Sequence, residues 1–162
     1  MTPAAELDAD RAAVAEAFAV RRATAFQSYT AAPGAAFAGS PLVDVAAAAD
    51  DGCYELFAAQ GHPRDEVEGY FAAGHALGFA VRERGAAVAA CLTYENFGAV
   101  HEVGAVYVRP EARRRGLARA LVQTALAALA ARGRVPRYQV LEDNRASIAR
   151  WPSRWVCAAS AP

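Results

Sequence analysis

Lysine is absent from this 162-residue sequence, so all 17 basic residues are arginine, and 17 acidic residues balance them. The resulting net charge near zero gives no electrostatic basis for nucleic-acid binding by the whole chain. No apolar run approaches the roughly 18 residues that a membrane-spanning helix needs. Met1 is followed by Thr2-Pro3-Ala4-Ala5 rather than by the basic and apolar regions of a secretory signal. We therefore expect a cytoplasmic protein without a nucleic-acid or membrane partner.

Cysteine is also scarce, with Cys53, Cys91 and Cys157 far apart and no Cys-x-x-Cys pair. An odd number at such spacing indicates neither a disulfide framework nor a zinc site. We expect three ordinary small apolar side chains and no bound metal. The chain is 55% hydrophobic, which is enough to bury the core of one domain.

The amino-terminal part mixes helical and irregular patterns. Residues 4–26 are rich in helix formers with a rough apolar face, which predicts a helix, and we expect a loop from there to about Pro41. Residues 42–60 stay ambiguous between strand and helix. Pro63, followed by acidic residues, favours a helix start, and Gly74 is placed to end that helix.

The period of the apolar residues then changes to two. Residues 79–82, residues 86–94 and Val100–Val108 are separated by glycine-containing turns and predict a three-stranded antiparallel meander. Helical periodicity returns from Gly116 and ends at Gly133. A strand at 138–141 follows, and Arg145 begins another helix.

A strand, a helix of about 16 residues and a second strand form a right-handed crossover, so the strands holding Val106 and Val140 should be parallel. We therefore predict an α/β fold built on one mixed sheet with flanking helices.

The turn Arg113-Arg114-Arg115-Gly116-Leu117-Ala118 lies between the third meander strand and the helix. The first N–H groups of a helix lack intrahelical partners, and the helix dipole favours negative charge at that end. Glycine lets a ligand approach the backbone, and arginine can add charge-assisted hydrogen bonds. The turn therefore predicts a phosphate site, with a solvated basic loop as the alternative.

Two segments carry a family resemblance. The segment from Tyr107 to Ala118 resembles the acyl-CoA signature of the GNAT N-acetyltransferases, which is Gln or Arg, two residues, Gly, one residue, then Gly or Ala. Asp143-Asn144-Arg145-Ala146-Ser147-Ile148 resembles their second signature. The resemblance implies a single GNAT domain, 1–162. Its acyl-CoA core is 77–149, and 1–76 form a helical, acceptor-side region of low similarity.

The resemblance also implies a reaction, in which an acetyl group passes from acetyl-CoA to an amine on a small molecule, a protein N-terminus or a lysine. Backbone amides from Arg114 to Arg119 would hold the CoA diphosphate, Arg113 would close the loop, and an N–H near Tyr107 or Val108 would polarise the thioester carbonyl. Asn144 would contact the pantetheine region, or serve as a plain helix N-cap. The implied cofactor-binding residues are Val106, Tyr107, Val108, Arg113, Arg114, Arg115, Gly116, Leu117, Ala118, Arg119 and Asn144.

Glu102 is the candidate catalytic base, since it resembles in position the glutamate of the histone-acetyltransferase branch. Strand alternation would place Glu102 on one face with Gly104, Val106 and Val108. His101, on the opposite face, is the fallback base, and Glu95 and Tyr94 are weaker candidates. Trp151 stands where the family has a tyrosine acid, which leaves the acid unassigned.

Residues 150–162 do not continue the expected helix, because Pro152 breaks it. In another reading frame the same tail resembles the family's usual ending, so we hypothesise a frameshift, which the coding DNA would test. The chain would then lack its C-terminal strand, and an open sheet edge would favour a homodimer. The alternative is a genuine short tail.

Two other functions stay open. A degenerate member would bind CoA without turnover and act as a sensor or partner module, as Trp151 and the tail suggest. An arginine-loop nucleic-acid binder is the third reading, which the neutral charge disfavours. No motif identifies the acceptor.

Overall fold

The computed structural model describes residues 12–14, 16–17, 26–31, 35–141, 143–144 and 155–157. The described strands form one seven-stranded sheet in the order β2-β3-β4-β5-β6-β1-β7. Its strands are β1 (Phe26–Ala31), β2 (Asp44–Ala46), β3 (Leu77–Glu83), β4 (Ala86–Phe97), β5 (Val100–Val108), β6 (Val135–Leu141) and β7 (Trp155–Cys157). Helices α1 (Asp51–Ala58), α2 (Arg64–Ala72) and α3 (Leu117–Ala131) flank it. Of the described pairings, β5 with β6 is parallel and the others are antiparallel, so the predicted mixed α/β fold is confirmed.

The meander of β3, β4 and β5 has the predicted order and pairing. Arg84 and Gly85 join β3 to β4 with φ of 51° and 86°, and positive values at both positions give the turn whose twist matches a hairpin. The helix predicted from Gly116 is α3, and β6 follows it in parallel to β5. These elements are specified locally, by apolar period and by turn residues.

Residues 26–31 are a strand, and the loop predicted there is wrong. β1 pairs antiparallel with β6, and the Thr30 hydroxyl donates to the Pro136 carbonyl at 2.9 Å. These partners are 106 residues apart, so nearby turn residues such as Pro33 and Gly34 hide the pairing from local reasoning. In the predicted amino-terminal helix, residues 12–14 and 16–17 are helical.

β7 lies in the tail that the sequence marked as atypical. It pairs with the outer side of β1 through Tyr29 with Cys157, Thr30 with Val156 and Ala31 with Trp155. β6 is therefore flanked on both sides, by β5 and β1, and is not an edge strand. The helix expected from Arg145 lies outside the described residues, and the frameshift and homodimer stay predictions.

The ambiguous segment 42–60 resolves into β2 and α1. Asp50 caps α1 by accepting from the Cys53 N–H at 2.9 Å, and Leu56 and Phe57 are buried against the sheet. Cys53 and Cys91 are free and buried, and burial raises the pKa of the Cys53 thiol to about 11. Within the described residues, no helix is long and apolar enough to cross a membrane.

Each face of the sheet buries its own cluster. On the α3 face, Leu121, Val122, Leu126 and Leu129 pack against strand residues that include Val103. On the α1/α2 face, apolar residues of both short helices pack against Leu92, Ala105 and their neighbours. The face that a strand residue occupies decides which of two separate environments its side chain enters.

Candidate functional site

The turn before α3 has the backbone geometry of a ligand-binding helix start. After one turn of 3-10 helix at Pro110–Ala112, Arg114 has a φ of 63° and Gly116, the N-cap, has a φ of 81°. No side chain caps α3, and its first backbone bond runs from Ala120 N to Gly116 O at 3.0 Å. The N–H groups of the first turn are therefore available to an anion.

The three arginines of this turn have different surroundings. Arg113 donates its Nε–H to the Val108 carbonyl at 3.1 Å, which ties the end of β5 to the turn. Arg115 forms an ion pair with Glu83 at the end of β3. Arg114 is exposed and has no ion pair or side-chain hydrogen bond to the described residues. One arginine thus closes the turn, one tethers it to the sheet, and one remains able to meet a ligand.

β5 and β6 separate soon after they meet. Their described parallel pairs are confined to Val100 with Val135, His101 with Pro136 and Glu102 with Arg137. β5 continues to Val108 and β6 to Leu141. Backbone groups of β5 beyond Glu102 are therefore left without β6 partners, and they line a V-shaped gap that opens toward the turn before α3.

A β-bulge in β5 changes the faces of its side chains. Leu92 pairs with Gly104 but Ala90 pairs with Tyr107, so β5 has one extra residue, and Ala105 has a φ of 51°. Ala105 and Tyr107 consequently lie with the α1/α2 cluster. The simple alternation expected from the sequence is therefore wrong beyond Gly104.

Val106 and Val108 pack on the α3 face as a result of this bulge. They do not share a face with Glu102, although their backbones still line the gap beside β6. A bulge has no reliable sequence signal in a run of small and β-branched residues, which is why alternation failed.

Glu102 lies where the gap closes and is only 6% exposed. It accepts from the backbone N–H of Gln139 on β6 at 3.1 Å and from the Asn96 side chain at 3.4 Å, and Arg137 Nε lies 3.6 Å away. Burial raises the pKa of this carboxyl, and Arg137, Asn96 and the Gln139 N–H offset part of that rise. Glu102 therefore bridges the two diverging strands and is also poised to exchange a proton.

Tyr94 lies opposite Glu102 in the antiparallel pair of β4 and β5. Its ring stacks on Tyr70 of α2 with centroids 4.4 Å apart. The Tyr70 hydroxyl donates to Glu66, which also lies 3.4 Å from His62 Nδ1. Burial, followed by the charges of Glu102 and Glu66, raises the pKa of Tyr94 to about 12, so this phenol keeps its proton at neutral pH.

Gly104→Ala should destabilise the protein by about 1–3 kcal/mol, because the new methyl would overpack the contact between Gly104 and the Tyr94 ring. A Cβ at Gly104 would lie 3.2 Å from Cε1 and 3.4 Å from the hydroxyl of Tyr94, whose ring is backed by Tyr70. Urea unfolding measures the change. Gly69→Ala on α2 is the control, since no atom lies within 4 Å of its Cβ position and alanine in a helix stabilises by about 0.5–1 kcal/mol. Equal stability of Gly104→Ala and the native protein would contradict this packing.

With this geometry in view, the model of the acetyltransferase (GNAT) family matches residues 45–152 of the chain. The chain belongs to the GNAT family. No curated protein matches it.

Solved structures of the GNAT family share the fold. A GNAT-family protein from Novosphingobium aromaticivorans is 22% identical, with a TM-score of 0.68 over 86% of this chain and 62% of its own. A GNAT acetyltransferase from Colwellia psychrerythraea is 15% identical, with a TM-score of 0.65 over 92% and 58%. AAC(6')-Iy, solved with the bisubstrate analogue CoA-S-monomethyl-acetylneamine, is 18% identical, with a TM-score of 0.51 over 66% and 85%. This GNAT chain thus spans about three fifths of the first two structures.

Two structural features of this GNAT chain bear on whether it can bind acyl-CoA. Nothing lies within 4 Å of the Cβ position of Gly116, so the approach to the first turn of α3 is open. The unpaired length of β5 offers backbone partners to a second extended molecule. Both features fit the donor that the sequence implied. Among the described residues, no cluster of three or more His, Cys, Asp or Glu side chains is arranged for a metal.

The other candidates named from the sequence are distributed around this GNAT site. Asn144 lies in the turn after β6, where its N–H donates to the Leu141 carbonyl at 2.9 Å, and Trp151 lies outside the described residues. His101 is on the α3 face in a cavity with Leu129, away from Glu102. It is therefore not placed to act as the fallback base.

Sequence reasoning did not select His62, Glu66 and Tyr70. They are spaced four residues apart, from His62 just before α2 to Tyr70 near its end, and this spacing is a recognisable signal because it puts three polar groups on one side. The spacing does not reveal their partner across the domain, Tyr94, because Tyr70 meets Tyr94 only where α2 packs on β4.

Proposed function

We propose that this GNAT protein is an N-acetyltransferase that passes an acetyl group directly from acetyl-CoA to a primary amine in a ternary complex. The observation that carries the proposal is the gap between β5 and β6, with a free helix start at its open end and buried Glu102 at its closed end. An extended donor in the gap would bring its reactive end toward Glu102. Among the described residues, Glu102 is the one carboxyl group whose pKa is raised.

On the donor side, the N–H groups from Arg114 to Arg119 would bind the diphosphate, while Arg113 keeps the turn closed against Val108. Acetyl-CoA supplies the acyl group as a thioester. Arg109 N donates to Val88 O on β4 at 2.9 Å, so alternation along the strand directs the Val108 N–H away from β4, toward the gap. This favours Val108 over Tyr107 as the donor to the thioester carbonyl.

On the acceptor side, an amine must lose a proton to become a nucleophile. Glu102 would take it, directly or through one water, because a carboxyl with a raised pKa is a stronger base than an exposed one. Glu66 adds a second carboxyl beside the Tyr70 and Tyr94 rings. Acidic and aromatic groups together favour a cationic acceptor, since ring faces and carboxylates both attract ammonium.

Calorimetric titration with acetyl-CoA, followed by thiol release with a panel of amines, tests the proposal. We expect saturable binding of acetyl-CoA and thiol production with at least one cationic amine among amino acids, polyamines, aminoglycosides and peptide N-termini. Absence of binding would refute the donor site. Binding without thiol production across the panel would support the alternative, a CoA-binding sensor or partner module.

A further inference from the structure

A cavity of about 200 Å³ lies on the α3 face, at the end of the sheet where β5 begins. It is on the opposite side of the sheet from Tyr94 and Tyr70, beside which the acceptor is proposed to bind. Its polar lining includes Thr93, His101, Arg132 and Arg134. The volume is far above the roughly 10–15 Å³ that one water requires. A small molecule of several atoms would therefore fit.

Two side chains in the lining of this cavity have polar atoms without protein partners among the described residues. Thr93 is 0% exposed and His101 is 4% exposed. Thr93 Oγ1 and both ring nitrogens of His101 have no hydrogen-bond partner among the described residues. Buried polar atoms are nearly always satisfied, so three orphaned atoms in two residues of the cavity lining point to a bound polar group.

The charged side chains around the cavity indicate whether the bound group is an anion or a cation. Arg132 and Arg134 are its cations, and Arg134 forms no ion pair or side-chain hydrogen bond with the described residues. Glu95, which is opposite His101 across the strands, is engaged by His75 at 3.4 Å. These arginines disfavour a metal ion or an ammonium group and favour an anion.

The adjacent end of α3 does not oppose an anion, because its terminal carbonyls are occupied. Ala128 O accepts from the Arg132 side chain, Leu129 O accepts from the backbone N–H groups of Arg132 and Arg134, and Ala130 O accepts from Gly133 N. The negative end of the helix dipole is thereby compensated by groups of the chain itself.

We propose that this cavity is a binding site for a small oxyanion, either a carboxylate or inorganic phosphate, separate from the acyl-CoA and acceptor sites. The Thr93 hydroxyl and one N–H of the His101 ring donate to its oxygens, and Arg134 supplies the compensating charge. The remaining ring nitrogen of His101 becomes protonated more readily when the anion is present. The site joins β4, β5 and the segment that leads into β6, where the two parallel strands are still paired.

Nuclear magnetic resonance of the His101 ring nitrogens tests the site, with sodium acetate and sodium phosphate as probes and sodium chloride at matched ionic strength as reference. We expect saturable shifts with at least one probe and an upward shift of the His101 pKa when that probe is bound. Saturation by acetate alone identifies a carboxylate site, and by phosphate alone a phosphate site. Shifts no larger than those with chloride for both probes would mean a water-filled cavity and overturn the proposal.

Two variants define the binding groups. Arg134→Gln and the isosteric Thr93→Val should each weaken the probe by about tenfold, as expected for one charge-assisted or buried hydrogen bond. Arg84→Gln, in the turn at the opposite end of β3, is the charge-matched control and should leave affinity unchanged. Undiminished affinity in Arg134→Gln would overturn the assignment, and circular dichroism of both variants separates lost binding from lost fold.

Discussion

Glu102→Gln is expected to lower kcat by about 10²–10⁴-fold, the usual contribution of a general base, while the affinity for acetyl-CoA stays unchanged. The amide keeps an oxygen that can accept from the Gln139 N–H, now 3.1 Å from the carboxylate, so the bridge between β5 and β6 is retained. What the variant loses is the ability to take a proton. Steady-state kinetics with the best amine, together with calorimetry of acetyl-CoA, separate the two properties.

The pH dependence of the reaction rate provides a second test of Glu102 as the base. The native rate should rise as pH increases through the raised pKa of Glu102, because only the carboxylate accepts a proton, and Glu102→Gln should lose that limb. A carboxyl whose folded pKa exceeds its unfolded pKa contributes stability that is lost as pH rises through the folded value. The variant should therefore gain stability relative to the native protein as pH rises.

Glu95→Gln is the matched control, since Glu95 lies on the neighbouring strand and pairs with His75 at 3.4 Å on the α3 face. It should retain native kcat and pH dependence. If Glu102→Gln also retained native kcat and pH dependence, Glu102 would only connect β5 to β6, and another residue would have to be the base.

Gly116→Leu is expected to weaken acetyl-CoA binding by about 10²–10⁴-fold. Hydrogen bonds to a charged group contribute about 1.5–3 kcal/mol each, and a side chain over the first turn of α3 would block at least two of them. Space there is open, with nothing within 4 Å of the Cβ position, so the substituent would occupy the ligand's volume rather than clash with protein. Calorimetric titration with acetyl-CoA measures the loss.

Gly133→Leu is the control for backbone strain at the other end of α3. Gly116 and Gly133 have φ of 81° and 64°, so leucine costs about 1–2 kcal/mol at either position. Both variants should lose similar stability in urea unfolding, but only Gly116→Leu should lose acetyl-CoA. Equal loss of binding in both would attribute the effect to strain, and native binding in Gly116→Leu would refute the diphosphate site.

The predicted elements that proved correct have local signals. The meander was predictable from its alternation and from turns such as Arg84-Gly85, and α3 from its apolar stripe between Gly116 and Gly133. The left-handed backbone at Gly116 before α3 agrees with the glycine-containing turn expected there, and the anion site at that turn stays a prediction. In these segments, residues within a few positions of each other determine the conformation.

The errors occurred where distant segments meet. The sequence predicts a loop at β1, because the partner strand β6 is more than 100 residues away in sequence. Simple alternation predicts the wrong face for Val106 and Val108, because one bulge at Ala105 shifts the register. Alternation correctly puts His101 on the face opposite Glu102, but the cavity that it lines with Leu129 and Arg134 is formed by segments distant in sequence.

Two short signatures were enough to indicate the family, and apolar periodicity with glycine turns was enough to predict the strand-helix-strand unit, because both signals lie within short stretches of sequence. Three-dimensional contacts were needed to show where β5 leaves β6, that Glu102 bridges the two strands, and that Tyr70 and Tyr94 stack beside it. Strand register and the packing of helices on a sheet depend on many weak contacts between remote residues, and no local sequence pattern specifies those contacts.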